Sequence, residues 1–161
     1  MLKKCVIGLL FMPLLSLANS DHSGIYRDSN FNIMSYQGTY QCKIYAMPQD
    51  VSNIDDYSNK SIGDANMVVE NEGDGSGKYI FINLNNGKDI DIPPLKLVEK
   101  GSTKTTYAFK SKSLTVGYIL TSEEGAIVGI QDKTQGNELS VLLSNCVMLR
   151  NQEQPVPADP Q

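Results

Sequence analysis

The sequence predicts an all-β domain, a single antiparallel meander of about eight strands closing into a small barrel, with a β-sandwich as the alternative. Three observations predict it. Short runs rich in Val, Ile, Tyr and Thr recur between glycine and asparagine turns. No stretch repeats its apolar residues at helical spacing over a convincing length. Two cysteines, Cys42 and Cys146, flank the patterned region and suit a bridge between its first and last strands.

The chain opens with Lys3 and Lys4, an apolar run from Val6 to Leu17, and Ser16-Leu17-Ala18. A charged start, a short hydrophobic stretch and small residues before a polar segment form the pattern removed on export. The run is too short to span a bilayer. Residues 1–20 therefore read as a signal peptide, with the mature chain starting near Asn19 or Asp21. Residues 21–35 are polar and irregular, and read as a flexible N-terminal segment outside the core. Residues 36–150 form the β-domain, and 151–161, with three prolines and little that is apolar, read as a disordered tail.

Within the β-domain, Tyr40, Cys42, Ile44 and Ala46 share one face of the first core strand. Ile80, Ile82 and Leu84 do so in the run from Lys78, and Leu114, Val116, Tyr118 and Leu120 in a later one. Asn85-Asn86-Gly87 supplies residues that tolerate positive φ and marks a hairpin. Glu123-Glu124-Gly125 and Thr134-Gln135-Gly136-Asn137 mark two more, so neighbours in sequence become neighbours in the sheet. Pro93-Pro94 cannot donate ladder hydrogen bonds and breaks or bends the strand before Leu95. In the last strand Leu139, Val141 and Leu143 alternate, yet Cys146 and Met148 fall on the opposite parity. A bulge near Ser144-Asn145 restores agreement and turns Cys146 inward.

The mature chain carries 12 basic against 18 acidic residues, a formal charge of −6, which argues against a nucleic-acid binder. Lys96, Lys100, Lys104, Lys110 and Lys112 are spread over one hairpin and read as solvated strand edges. Cys5 leaves with the leader, so Cys42 and Cys146 remain, in an oxidising compartment, without the nearby histidine or second cysteine of a redox site.

Common catalytic constructions are missing. The single histidine, His22, lies beside the cleavage point, which removes Ser-His-Asp, Cys-His and His-based metal sites. Asp55-Asp56 and Glu123-Glu124 are adjacent pairs that point apart on a strand or face water on a turn. Asn71, Asp74 and Ser76 lie in a glycine-rich turn that lacks the series of a calcium loop. Asn59-Lys60-Ser61 matches the glycosylation pattern. The long polar stretch from Met47 to Asp64 lacks strand alternation, and its Asp55, Asp56 and Tyr57 form the candidate binding loop. No catalytic residue, metal or cofactor is assigned.

The chain thus reads as an exported bacterial domain, periplasmic or secreted, with a non-enzymatic binding role. Its partner is a small ligand or a protein, not nucleic acid, and the mature chain has no membrane span. A secreted host-directed inhibitor or adhesin is one alternative, and a carboxylate-based hydrolase the other.

Overall fold

The computed structural model describes residues 23–48, 59–72, 76–136 and 138–149. The leader, the residue pair Asp55-Asp56 with Tyr57, and the 151–161 tail lie outside them. All regular structure among the described residues is β: β1 (Ile25–Arg27), β2 (Ile33–Ser35), β3 (Gly38–Ala46), β4 (Ser61–Asn71), β5 (Gly77–Leu84), β6 (Asp89–Ile90), β7 (Leu95–Glu99), β8 (Lys104–Lys110), β9 (Leu114–Thr121), β10 (Gly125–Asp132) and β11 (Leu139–Met148).

Strands β1 and β2 form a separate hairpin, and the others form one antiparallel sheet in meander order. β11 pairs with β3 and β4 with β5, so a ring of hydrogen bonds runs through eight strands and the sheet closes on itself, as consecutive hairpins tied end to end by a cysteine bridge predict. Closure leaves the ring strands without a long unpaired edge. The Asn85-Asn86-Gly87 turn is formed, with Gly87 at φ 81° and the Leu84 N–H donating to the Lys88 carbonyl at 2.8 Å. Pro93-Pro94 does interrupt its strand. β6 pairs with the end of β5 (Ile82 with Ile90), and β7 resumes the pairing at Gly77 with Lys96 and Lys78 with Leu95.

Period-two alternation places the core inside the ring. Tyr40, Cys42, Ile44, Ile80, Ile82, Val116, Tyr118, Leu120, Val141 and Leu143 are all buried, and Leu84, Leu114 and Leu139 pack against them half-buried. Ala46, expected with this set, is exposed at the strand end. Two sequence-based boundaries also need correction. The polar stretch expected to run to Asp64 ends earlier, because β4 starts at Ser61 and pairs with Tyr45. The segment 21–35, expected to lie outside the core, contributes the β1–β2 hairpin, whose Ile33 is fully packed in it. Its strands are three residues each, too short for alternation to reveal them, and docking on the ring is what buries Ile33.

The closing seam lies between β3 and β11. Pairing shifts register between Ser144 and Val147, Asn145 takes φ 51°, and its side chain is turned outward, so Cys146 faces in. This is the bulge the parity conflict requires. The Asn145 side-chain amide donates to the Tyr45 hydroxyl at 2.7 Å on the outer face, beside a second small cluster of Tyr45, Ile127 and Leu142. Inside, the sulfurs of Cys42 and Cys146 stand at bonding distance with their Cα atoms 4.1 Å apart.

Two outcomes follow for this seam. Intact mass of non-reduced protein should show both thiols protected from alkylation, and a Cys42→Ser/Cys146→Ser variant should lose up to about 4 kcal/mol in urea unfolding, because the bridge closes a loop spanning 104 residues. Asn145→Val should cost roughly 1–3 kcal/mol in the same assay, since a β-branched residue strains at positive φ, whereas Asn145→Gly should cost less.

Candidate functional site

The β1–β2 hairpin is held over one end of the ring by a dense set of polar contacts. Asp28 shapes its turn, accepting the N–H groups of Asn30 and Asn32 at 2.9 and 3.0 Å. The Lys100 ammonium sits 2.8 Å from the same carboxylate, and together these contacts hold its pKa well below the usual range. Arg27 donates to the Ser102 carbonyl at 2.7 Å, and the Ile33 N–H to that of Gly101 at 2.9 Å. The buried Tyr40 hydroxyl lies 2.9 Å from the Gly24 carbonyl and 2.7 Å from that of Tyr36, and donates to one at a time. Only glycine fits at Gly24: φ is 70°, and a Cβ there would sit 2.2 Å from the Tyr40 ring.

Beneath the hairpin lies a polar cluster in an otherwise apolar interior. Lys78 shares the inner face of β5 with Ile80 and Ile82, and is only 1% exposed. Its ammonium donates to the side-chain oxygen of Asn71, its cross-strand partner, and approaches the Ser35 carbonyl at 3.5 Å. It also stands 5.4 Å from the centre of the Tyr107 ring, within cation–π range. Tyr107 pairs directly with Tyr118, the ring centres 6.2 Å apart. The hydroxyls of Tyr107, Tyr118 and Ser35 are buried without a hydrogen-bond partner.

Burial controls the electrostatics here. It lowers the Lys78 pKa to about 8 and pushes the phenols of Tyr118, Tyr40 and Tyr107 above their ordinary value. The Ser35 hydroxyl is close enough to Tyr118 to offset part of that rise, although the two do not reach hydrogen-bond geometry. None of the ion pairs among the described residues includes Lys78. They join Lys43 to Asp64, Lys100 to Asp28 and Lys104 to Glu99, all at least partly exposed.

A second feature lies on the outer face. Where β6 pairs with β5, a groove of about 260 Å³ opens beside Phe81, Val68 and Ile90, with Asn66, Asn83, Asp89 and Asp91 among its lining. Phe81 is 57% exposed. The Asn83 side-chain amide donates to Asp89 at 2.7 Å and fixes that carboxylate against β5. The groove holds two carboxylates and no basic group.

The residues singled out from sequence are distributed differently. Asp55, Asp56, Tyr57, His22 and Asp74 lie outside the described residues. Asn71 accepts from Lys78 through its side-chain oxygen, and Ser76 donates to Glu72 at 3.1 Å. Glu123 and Glu124 are exposed on their turn. Lys78 is the residue that sequence reasoning missed, although its parity with Ile80, Ile82 and Leu84 already marks it as inward-facing. No protein-family model, curated protein or solved structure matches this chain.

The Lys78 pKa sets a stability profile. The folded value, about 8, lies below the ordinary 10.5, so the unfolded chain binds more protons between them and stability should rise with pH across that window. Below it the full penalty, on the order of 3 kcal/mol, is present. Lys78→Met should therefore stabilise the fold by roughly 1–3 kcal/mol at neutral pH, and that advantage should shrink toward about pH 9.5. Urea unfolding of both proteins across the range checks it, and equal pH slopes would contradict the assignment. The buried phenols act oppositely and only at higher pH, because their raised pKa values favour the folded state until they ionise.

Proposed function

We propose that the chain is an exported, non-enzymatic binding domain whose outer groove takes a cationic group carried on an apolar stem. The single observation that carries this is the juxtaposition in one groove of exposed Phe81 with Asp89 and Asp91 and no basic side chain. An aromatic face attracts a cation, the carboxylates attract it at longer range, and Val68 can cover its stem. The Asn66 and Asn83 amides supply hydrogen bonds that orient the occupant. The acidic balance of the whole chain favours approach of a cation to this side and opposes anions.

Export is supported by the apolar run behind Lys3 and Lys4, and by the cysteine pair at bonding distance, which suits an oxidising compartment. Intact mass of protein from its own host should place the mature N-terminus near Asn19 or Asp21.

The groove is tested with a tri-lysine peptide and the mature protein, followed by amide NMR shifts. Binding should weaken about three- to fivefold in Phe81→Ala and about five- to tenfold in Asp89→Asn/Asp91→Asn, and should fall as salt is raised. Shifts that leave Phe81 and Asn83 unmoved, or variants that bind like the parent, would refute the proposal.

A further inference from the structure

We propose that the cluster beneath the β1–β2 hairpin is a binding site for one small carboxylate, with Lys78 as its counter-ion and the hydroxyls of Tyr107, Tyr118 and Ser35 as donors. It is independent of the outer groove, whose chemistry is the reverse.

Hydrogen-bond donors outnumber acceptors around Lys78. The Lys78 ammonium has three protons, and the structure provides two neutral acceptors near it, the Asn71 side-chain oxygen and the Ser35 carbonyl. Tyr107, Tyr118 and Ser35 add three more O–H groups, all fully buried and all unpartnered. Tyr40 relieves none of this surplus, because its hydroxyl is spent on the hairpin carbonyls. A buried cluster with excess donors and one positive charge is complementary to an acceptor-only anion, and a carboxylate offers two oxygens with about four lone-pair directions.

Charge decides among anions. One ammonium balances one carboxylate, whereas a phosphate dianion would bring a second charge into an interior with no further cation among the cluster. A metal cation is disfavoured by the ammonium already present. The independent geometric observation is the hairpin itself, which covers the cluster and is latched by Tyr40, so the occupant would be enclosed once the hairpin is seated. Burial of that lysine without a carboxylate is costly, and an anionic occupant is what would offset it.

The test uses the mature, non-reduced protein with sodium formate as probe, and sodium chloride at equal ionic strength as control. Thermal unfolding and the Lys78 side-chain carbon resonance are followed together. Formate should raise Tm above the chloride control and move the Lys78 titration upward by about one pH unit or more, a tenfold change in proton affinity. Lys78→Met should abolish the formate-specific gain, and Tyr118→Phe should weaken formate about tenfold while leaving the lysine in place. If Lys78→Met fails to fold, Tyr118→Phe and the wild-type titration decide.

Equal Tm in formate and chloride with an unmoved Lys78 resonance would overturn the proposal. So would an equal formate gain in Lys78→Met, or stabilisation by phosphate but not by formate.

Discussion

Closure of the sheet between β3 and β11 is the constraint on which the rest of the structure depends. A meander brings sequence neighbours together by local turns, but joining its last strand to its first brings together residues about a hundred positions apart. The seam answers that cost with backbone pairing along both strands, a bulge at Asn145 and the Cys42–Cys146 sulfur pair inside the ring. The bulge is essential to the last of these. Without the extra residue, Cys146 would continue the outward parity that Ser144 sets and would point away from Cys42.

Closure also determines what the interior can tolerate. A flat sheet would leave Lys78 free to reach water from one face, whereas the closed ring and the seated hairpin leave it almost none. The same enclosure raises the phenol pKa values and lowers that of the ammonium, because both shifts express the cost of charge away from water. The hairpin therefore does more than fill the end of the ring. Its Ser35 carbonyl is one of the few acceptors available to the buried lysine, and its Gly24 carbonyl receives the hydroxyl of Tyr40.

The inner and outer faces consequently carry opposite chemistry. Inside, a lone ammonium stands among unpartnered hydroxyls. Outside, an exposed ring stands beside two carboxylates, at the place where Pro93-Pro94 cannot pair with β5. Pro93-Pro94 follows closely on the β6 segment that lines the groove, and β5 pairs with β7 only beyond it.

Much of the architecture was legible in the residues alone. Alternation in β3, β5 and β9, the Asn85-Asn86-Gly87 turn and the parity conflict at Cys146 are local signals, and local backbone geometry obeys them. The same alternation already placed Lys78 inward, but a lysine next to a turn ordinarily reaches solvent, and nothing in the sequence says that a distant hairpin will cover it. The association of Lys78 with Ser35 and with Tyr107 was decided only by the tertiary structure. These groups come from separate strands, and their distances depend on how the sheet curls and where it closes, which no local preference encodes.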